Sequence, residues 1–289
     1  MLLRYTAKTE DDGKTVKQII GREYALSSRL LSRLKNCGGI KVNGKTVTVR
    51  YVLSQGDELT VESTDDKSEN IEPSNIPLDV LYEDDSILVV NKPLGMPTHP
   101  SQGHHGDTLA NAVMYRYREE NFTFRAITRL DGDTTGVVLV ARNQLSAQRL
   151  TDSLMCGRVE KEYTALVDGI PKEEKGSIEA PIARCEDSVI KRKIDDNGKY
   201  ALTHYCLERV CPDGLHSLVR AFPVTGRTHQ IRLHLSHIGV PIYGDFLYGN
   251  PVDNVRAHLH CSRLTFPHPI TGEKMCVSAP LPDDIMAFL

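Results

Sequence analysis

The chain has 289 residues, 40% of them hydrophobic and 25% charged, with a net charge of −3 at pH 7. That composition belongs to a globular protein with room for one large core or two domains, and it excludes disordered, collagen-like and disulfide-stapled chains. No apolar run approaches the length of a membrane span, the first residues lack the apolar centre of a signal peptide, and the seven scattered cysteines contain no C-x-x-C pair. A soluble, cytoplasmic protein with reduced thiols is therefore expected.

Along the chain, Val16, Ile19 and Ile20 recur at helical spacing, and Leu30, Leu31 and Leu34 repeat the pattern after Ser27-Ser28. Two short helices are predicted, the second stopping at Gly38-Gly39. Ile40, Val42, Val47 and Val49 then alternate about Asn43-Gly44, which predicts a hairpin with a type I′ turn. Arg29 and Arg33 lie four apart on a helical face away from the leucines, and Lys41, Lys45 and Arg50 fall on or near the hairpin. Residues 1–62 carry 11 Lys/Arg against 7 Asp/Glu. Pattern alone fits a solvated charged face or a phosphate-binding module equally well.

Residues 63–77, STDDKSENIEPSNIP, are polar, acidic and Pro-punctuated, and are expected to form a linker. Residues 63–90 hold 1 Lys/Arg against 8 Asp/Glu, whereas residues 91–289 balance 23 against 23. The acidic excess of the chain is thus confined to the connector, and a basic cleft elsewhere is compatible with the net charge. Beyond it, 87–90 and 137–140 read as buried strands and 108–118 and 145–155 as helices. A strand-rich stretch follows over 163–222, with Lys191-Arg192-Lys193 at a solvated hairpin tip. The expected class is mixed α+β, with a domain at 1–62, a linker at 63–77 and a larger domain at 78–289.

Chemistry concentrates in AITRLDGDTTGVVLVARN, residues 126–143. Two carboxylates, Asp131 and Asp133, sit in a Gly/Thr-rich loop ahead of a buried strand, where either serves equally as a catalytic carboxylate or as a turn residue. Downstream, Thr228 can cap a helix whose apolar positions are Ile231, Leu235 and Ile238 and whose stop is Gly239, so Arg232 projects from its first turn, with Arg227 just before it. Tyr163 shares a strand face with Ala165 and Val167, as an ordinary half-buried aromatic would. The eleven histidines include no H-E-x-x-H, and His234/His237 lack a carboxylate partner, so no metal site is expected. With no G-x-G-x-x-G and no P-loop, no cofactor is expected either.

The run from Thr128 to Gly136, TRLDGDTTG, resembles the H-R-L-D-x-x-T-S-G motif of the RluA-type pseudouridine synthases, with Thr128 in place of the family's His and Thr135 in place of its Ser. VVNKPLGMPTHP, KEYTALVDG, TGRTHQIRLHLSHIGVPIYGD and LHCSRLTFPHPITGE resemble further blocks of that family, in its order, across 78–289. SSRLLSRLKNCGGIKVNGKTVTVRYVLSQGDELTV resembles a small RNA-binding domain first recognised in a small-subunit ribosomal protein. The resemblance implies the pseudouridine synthase fold, a largely antiparallel central sheet with flanking helices, preceded by a small α/β RNA-binding domain. It implies Asp131 as nucleophile, Arg232 as the cation beside it, and Tyr163 as the active-site tyrosine that stacks on the base and takes up its proton.

For the RNA, the resemblance implies contacts from Arg129, which would fill the space left by an extruded base, and from Arg227, Arg29, Arg33 and Lys41. His229 is expected either to touch RNA or to cap the turn. The implied partner is ribosomal RNA of the large subunit, with transfer RNA as the alternative, and the implied state is a monomer with no obligate protein partner. Two other classes compete: a non-catalytic RNA-binding protein and a metal-dependent hydrolase.

Overall fold

A computed structural model of the chain describes residues 2–24, 26, 28–62, 70–188 and 190–289, and the side chain of Arg29 lies outside the described set. In the first part, strands β1 (Leu2–Thr6), β2 (Ile40–Val42), β3 (Lys45–Thr46) and β4 (Glu58–Glu62) form an antiparallel sheet of order β1-β4-β2-β3. Helices α1 (Val16–Tyr24) and α2 (Ser28–Asn36) bury Val16, Ile19, Ile20, Leu30 and Leu34 against it. The β2–β3 turn has φ 49° at Asn43 and 77° at Gly44, the two positive values a type I′ hairpin requires.

The second hairpin strand is shorter than the alternation predicts. Val47 and Val49 lie beyond β3, because the chain bends to bring the carbonyls of Val49 and Tyr51 onto the amides of Lys17 and Val16, both at 2.9 Å. Those contacts satisfy orphan donors at the start of α1, a demand that strand periodicity does not register.

The second part is built on a nine-stranded sheet. Its strands are β5 (Asp79–Glu83), β6 (Ile87–Lys92), β7 (Thr135–Ala141), β8 (Glu160–Asp168), β9 (Lys175–Glu179), β12 (Leu202–Val210), β13 (His216–Pro223), β14 (Leu259–Pro267) and β15 (Lys274–Ser278). The order is β5-β6-β7-β14-β8-β13-β12-β9, with β15 on β14. β10 (Ile182–Arg184) and β11 (Arg192–Ile194) make a separate hairpin. Helices α3 (Leu109–Arg116), α4 (Gln144–Met155), α5 (Gln230–His237) and α6 (Asp283–Met286) complete the mixed α+β architecture.

Thr108 and Asn143 cap α3 and α4 by accepting from the amides of Asn111 and Ser146. All seven residues of β7 are buried, as its apolar run requires of a strand covered on both faces.

Every pairing in the large sheet is antiparallel except β7 with β14, which run parallel at Thr135–His260 and Gly136–Cys261. At Gly136, φ is 110° and a Cβ would lie 2.2 Å from the Cys261 carbonyl oxygen, so only glycine lets the two backbones meet there. This junction fixes the point at which the 129–134 loop enters the sheet.

Of the expected linker, residues 63–69 lie outside the described set. Its other end belongs to the larger body: Ile71 and Ile76 pack on the main core, and Asn111 donates to the Glu72 carbonyl at 2.7 Å. The two parts also touch. Leu145 of α4 is buried in the N-terminal cluster, and Arg149 donates to Tyr24 O at 3.1 Å and to Pro269 O at 2.8 Å.

Candidate active site

One cavity of about 530 Å³ opens over the sheet, bounded by the 126–134 segment, β8 and the start of α5. Leu130 anchors the loop. It is buried, and Thr98 clamps it twice, its hydroxyl donating to Leu130 O at 2.8 Å and accepting from Leu130 N at 3.1 Å. Beneath, Lys92 is fully buried and donates to Met96 O at 2.7 Å, Pro93 O at 3.1 Å and Gly132 O at 3.3 Å. Burial pulls its ammonium down to about 8, with Asp131 and Asp133 opposing that shift.

The two carboxylates of the loop part company. Asp131 lines the cavity with its side chain 38% exposed, and its carbonyl accepts from Thr134 N in a tight turn. Asp133 is not among the cavity walls, and its carbonyl accepts from Arg256 Nη1 at 3.1 Å on the far side of the loop. Thr128, where the family has His, is buried and accepts from Leu139 N at 3.0 Å, while Thr135 shares a 2.8 Å hydrogen bond with His260 Nδ1.

Arg232 lines the cavity from the first turn of α5, but its partner is Asp245 rather than Asp131. Nε and Nη2 reach the two carboxylate oxygens at 2.7 and 2.6 Å, and the side chains are 2% and 0% exposed. Asp245 is delivered by the turn at Gly244, and its Oδ1 also accepts from the amides of Leu247 and Tyr248. The expected Arg232–Asp131 ion pair is corrected accordingly, since Asp245 is the buried anion whose charge the guanidinium must offset.

The group nearest Asp131 is His229, with Nε2 3.8 Å from Oδ2. The expectation that Thr228 caps α5 is also corrected. His229 occupies the N-cap at φ 57° with no side-chain cap, and Gln230 anchors the turn instead, accepting from Arg227 N and Thr225 Oγ1 while donating to Leu202 O and Thr203 Oγ1. His229 Nδ1 meets Tyr248 Oη at 2.9 Å. Because that hydroxyl already accepts from Arg192 N, its proton goes to Nδ1, which leaves a protonated Nε2 facing Asp131. Burial lowers the His229 pKa, favouring this neutral tautomer.

Tyr163 is buried on β8 at the cavity floor, with its hydroxyl against the Cys261 thiol. Burial first, then Cys261 and the negative charge of Asp131, push its phenol well above 10. The polarising neighbour that would make it a phenolate is not supplied. Arg129 and Arg227 are exposed at the rim, and Arg227 Nε donates to Tyr200 O at 2.9 Å.

Arg33 and Lys41 belong to the N-terminal body and do not line the cavity, and Lys41 is paired with Glu62 at 3.0 Å. Lys193 at the second hairpin is paired with Asp195 at 2.9 Å. Among the described residues no three His, Cys, Asp or Glu side chains converge as metal ligands, and no helix is long and apolar enough to cross a membrane.

Asp245, Tyr248, Lys92 and Lys161 are the site residues that sequence reasoning did not single out. All four fall inside or beside blocks quoted for the family resemblance, and that adjacency was the available signal.

A carboxylate, a neutral tyrosine and a charge-paired arginine around one cavity of nucleotide size define an enzyme of covalent or general acid–base chemistry on a small ring system. The family profile of RNA pseudouridylate synthases matches residues 86–237. A Bacillus subtilis protein named uncharacterized RNA pseudouridine synthase YjbO is 39% identical over 94% of this chain and 96% of its own. The ribosomal large subunit pseudouridine synthase D of Vibrio parahaemolyticus is 35% identical over 99% and 93%. Among solved structures, human RNA pseudouridylate synthase domain containing 1 superposes with a TM-score of 0.60 at 31% identity, covering 71% of this chain and 83% of that one. The chain belongs to the RNA pseudouridylate synthase family, with that family's fold, and is an RNA pseudouridine synthase.

Proposed function

We propose that this chain isomerises a uridine in large-subunit ribosomal RNA, with Asp131 as the nucleophile. The single observation that carries the assignment is the division of labour in the loop: Asp131 faces the cavity, while Asp133 is turned out of it and its backbone is held by Arg256. The ribosomal target is supported by the 35% identity, over nearly the whole chain, to a protein named for the large ribosomal subunit.

In the reaction the bond from C1′ to N1 breaks, the detached uracil turns, and a bond from C1′ to C5 forms. The proton lost from C5 is balanced by the one gained at N1, so no oxidant or reductant takes part. The Asp131 carboxylate forms the transient covalent bond. It is held ready by the Thr98 and Lys92 contacts to its loop, and His229 Nε2–H faces it as a donor. Tyr163 lies under the ring and offers a neutral hydroxyl. Arg129 fills the space vacated when the base leaves its stack, a step that costs a few kcal/mol. The Arg232–Asp245 pair keeps the helix and the 244–248 turn in register around the cavity.

Residues 1–62, with Arg33 and Lys41, serve as a docking module for structured RNA, joined by 63–77 to the catalytic domain at 78–289. The protein works as a cytoplasmic monomer. Incubating it with in-vitro transcribed large-subunit RNA and mapping pseudouridine by carbodiimide-dependent primer extension tests the function. Wild type should create a stop that Asp131→Asn does not, with or without chelator. Modification confined to transfer RNA would move the substrate, and activity in Asp131→Asn would remove the nucleophile.

A further inference from the structure

We propose that Lys161, together with Arg227 and the Thr225–Gly226 backbone, forms a phosphodiester-binding subsite that grips the phosphate flanking the extruded uridine. The proposal rests on the reading of the cavity as a uridine site, and adds to it the anchor for the nucleotide's backbone.

Lys161 sits on β8 two residues before Tyr163 and on the same strand face. Both line the cavity. Two residues of strand span roughly 6.6 Å, which matches the separation of a nucleobase from the phosphate of its own nucleotide. With the ring against Tyr163, the phosphate falls at Lys161.

The surroundings are those of an anion site. The Lys161 side chain is largely enclosed, yet among the described residues it has neither a carboxylate nor any other hydrogen-bond acceptor within reach. A buried lysine ordinarily finds an acceptor, so this ammonium is left facing the cavity. Its Nζ lies 3.7 Å from the position of a Cβ at Gly226, directly over the turn that leads into α5. Thr225, Gly226 and Arg227 all wall the cavity there, and the first turn of α5 carries no acidic residue. Arg227 uses only Nε on the Tyr200 carbonyl, so its other guanidinium nitrogens remain for an anion. The two carboxylates of the site shift Lys92, Arg232 and, for Asp131, His229, but neither acts on Lys161, which places it at the opposite end from the reacting carbon. Burial lowers its pKa, a cost that a bound phosphate would relieve.

The test pairs a protein change with a substrate change. A short RNA hairpin carrying the mapped target uridine is made in three forms: unmodified, and with the 5′ or the 3′ flanking phosphate replaced by a neutral methylphosphonate. Binding is read by fluorescence anisotropy over a range of salt, and chemistry by single-turnover rates at saturating enzyme.

Lys161→Met should weaken binding of the unmodified hairpin by about tenfold or more and leave the saturating rate nearly unchanged. The salt slope should become shallower by roughly 0.7 to 0.9, as for one lost phosphate contact. One methylphosphonate should weaken wild-type binding comparably and cause no further loss in Lys161→Met. Lys161→Arg should restore most of the affinity, which excludes mere misfolding.

Additive losses from the two changes, or a fallen saturating rate with affinity unchanged, would overturn the subsite and assign Lys161 to the Tyr163 hydroxyl instead. If Lys161→Met does not fold, wild type alone still decides, because indifference to both methylphosphonates overturns the proposal. Failure of the uridine reading itself is seen separately, as wild type that makes no pseudouridine in any form of the hairpin.

Discussion

Arg232 and Asp245 meet through two parallel hydrogen bonds of 2.7 and 2.6 Å, with both side chains out of water. A bidentate buried pair is sensitive to the loss of one member, because the survivor keeps its desolvation cost without its counter-charge. Arg232→Met should therefore lower unfolding stability by about 3–5 kcal/mol and abolish turnover. Restoring neutrality with Arg232→Met/Asp245→Leu should recover part of the stability but none of the activity. Urea melts of the three variants check this; a single Arg232→Met variant with wild-type midpoint would show that the pair is not the support of the cavity wall.

Asp131→Asn should cut pseudouridine formation by about 10³-fold or more while leaving RNA affinity and melting temperature close to wild type, since the change is isosteric and removes only nucleophilic charge. Asp133→Asn should stay within about threefold, because its carbonyl rather than its carboxylate is what holds the loop to Arg256. Reversal of the two effects would exchange their roles.

Tyr163→Phe should keep RNA binding and lose turnover, as only the hydroxyl is removed from the cavity floor. Because burial holds that phenol well above 10, its ionisation should leave no mark on the rate between pH 6 and pH 9. A wild-type rate that climbs with pH across that range and flattens in Tyr163→Phe would mean that the tyrosine acts as a phenolate.

Acid should destabilise the protein through His260. Burial lowers its pKa to about 4, and its Nε2 is enclosed without a hydrogen-bond partner in good geometry. The folded pKa lies below the unfolded value of about 6.5, so between them the unfolded chain binds the extra proton. The stability is complete above pH 6.5 and lost as pH falls towards 4, on the order of 3 kcal/mol for this group alone. Urea midpoints from pH 7 to pH 4 should fall, and His260→Gln should flatten the curve; an unchanged slope in that variant would place the titrating group elsewhere.

The parts of this site that were legible in the sequence are those governed by local pattern. The buried β7 run, the Asn43-Gly44 turn and the caps at Thr108 and Asn143 follow from periodicity and backbone chemistry within a few residues. The partner of Arg232 was not legible. Asp131 and Asp245 are both carboxylates at loop positions, and only the turn at Gly244 decides which one reaches the guanidinium. His229 was open between RNA contact and cap because neither reading anticipates a left-handed residue whose ring is oriented by Tyr248, 19 positions away. The pKa of Tyr163 depends on enclosure by β14, a tertiary fact that its strand neighbours do not carry.

Removal of residues 1–69 should leave a catalytic body that folds with a weakened α4. The cut belongs at 69 rather than 76 because Ile71 and Ile76 pack on the main core. Two contacts are lost with the N-terminal part: Leu145 loses the apolar cluster that covers it, and Arg149 loses the Tyr24 carbonyl. Uncovering one leucine costs about 1.5–3 kcal/mol, so the truncated chain should melt earlier, and Leu145→Gln in that background should recover solubility. Chemistry on a short hairpin at saturating enzyme should be retained, since no wall of the cavity comes from the first 69 residues. Affinity for the full ribosomal RNA should fall, with a shallower dependence on salt, if Arg33 and Lys41 give up pairs such as Lys41–Glu62 for phosphate. Titrating both forms against the same RNA at several salt concentrations decides the matter: equal affinities and parallel slopes would make the basic face of the N-terminal body a solvated surface and nothing more.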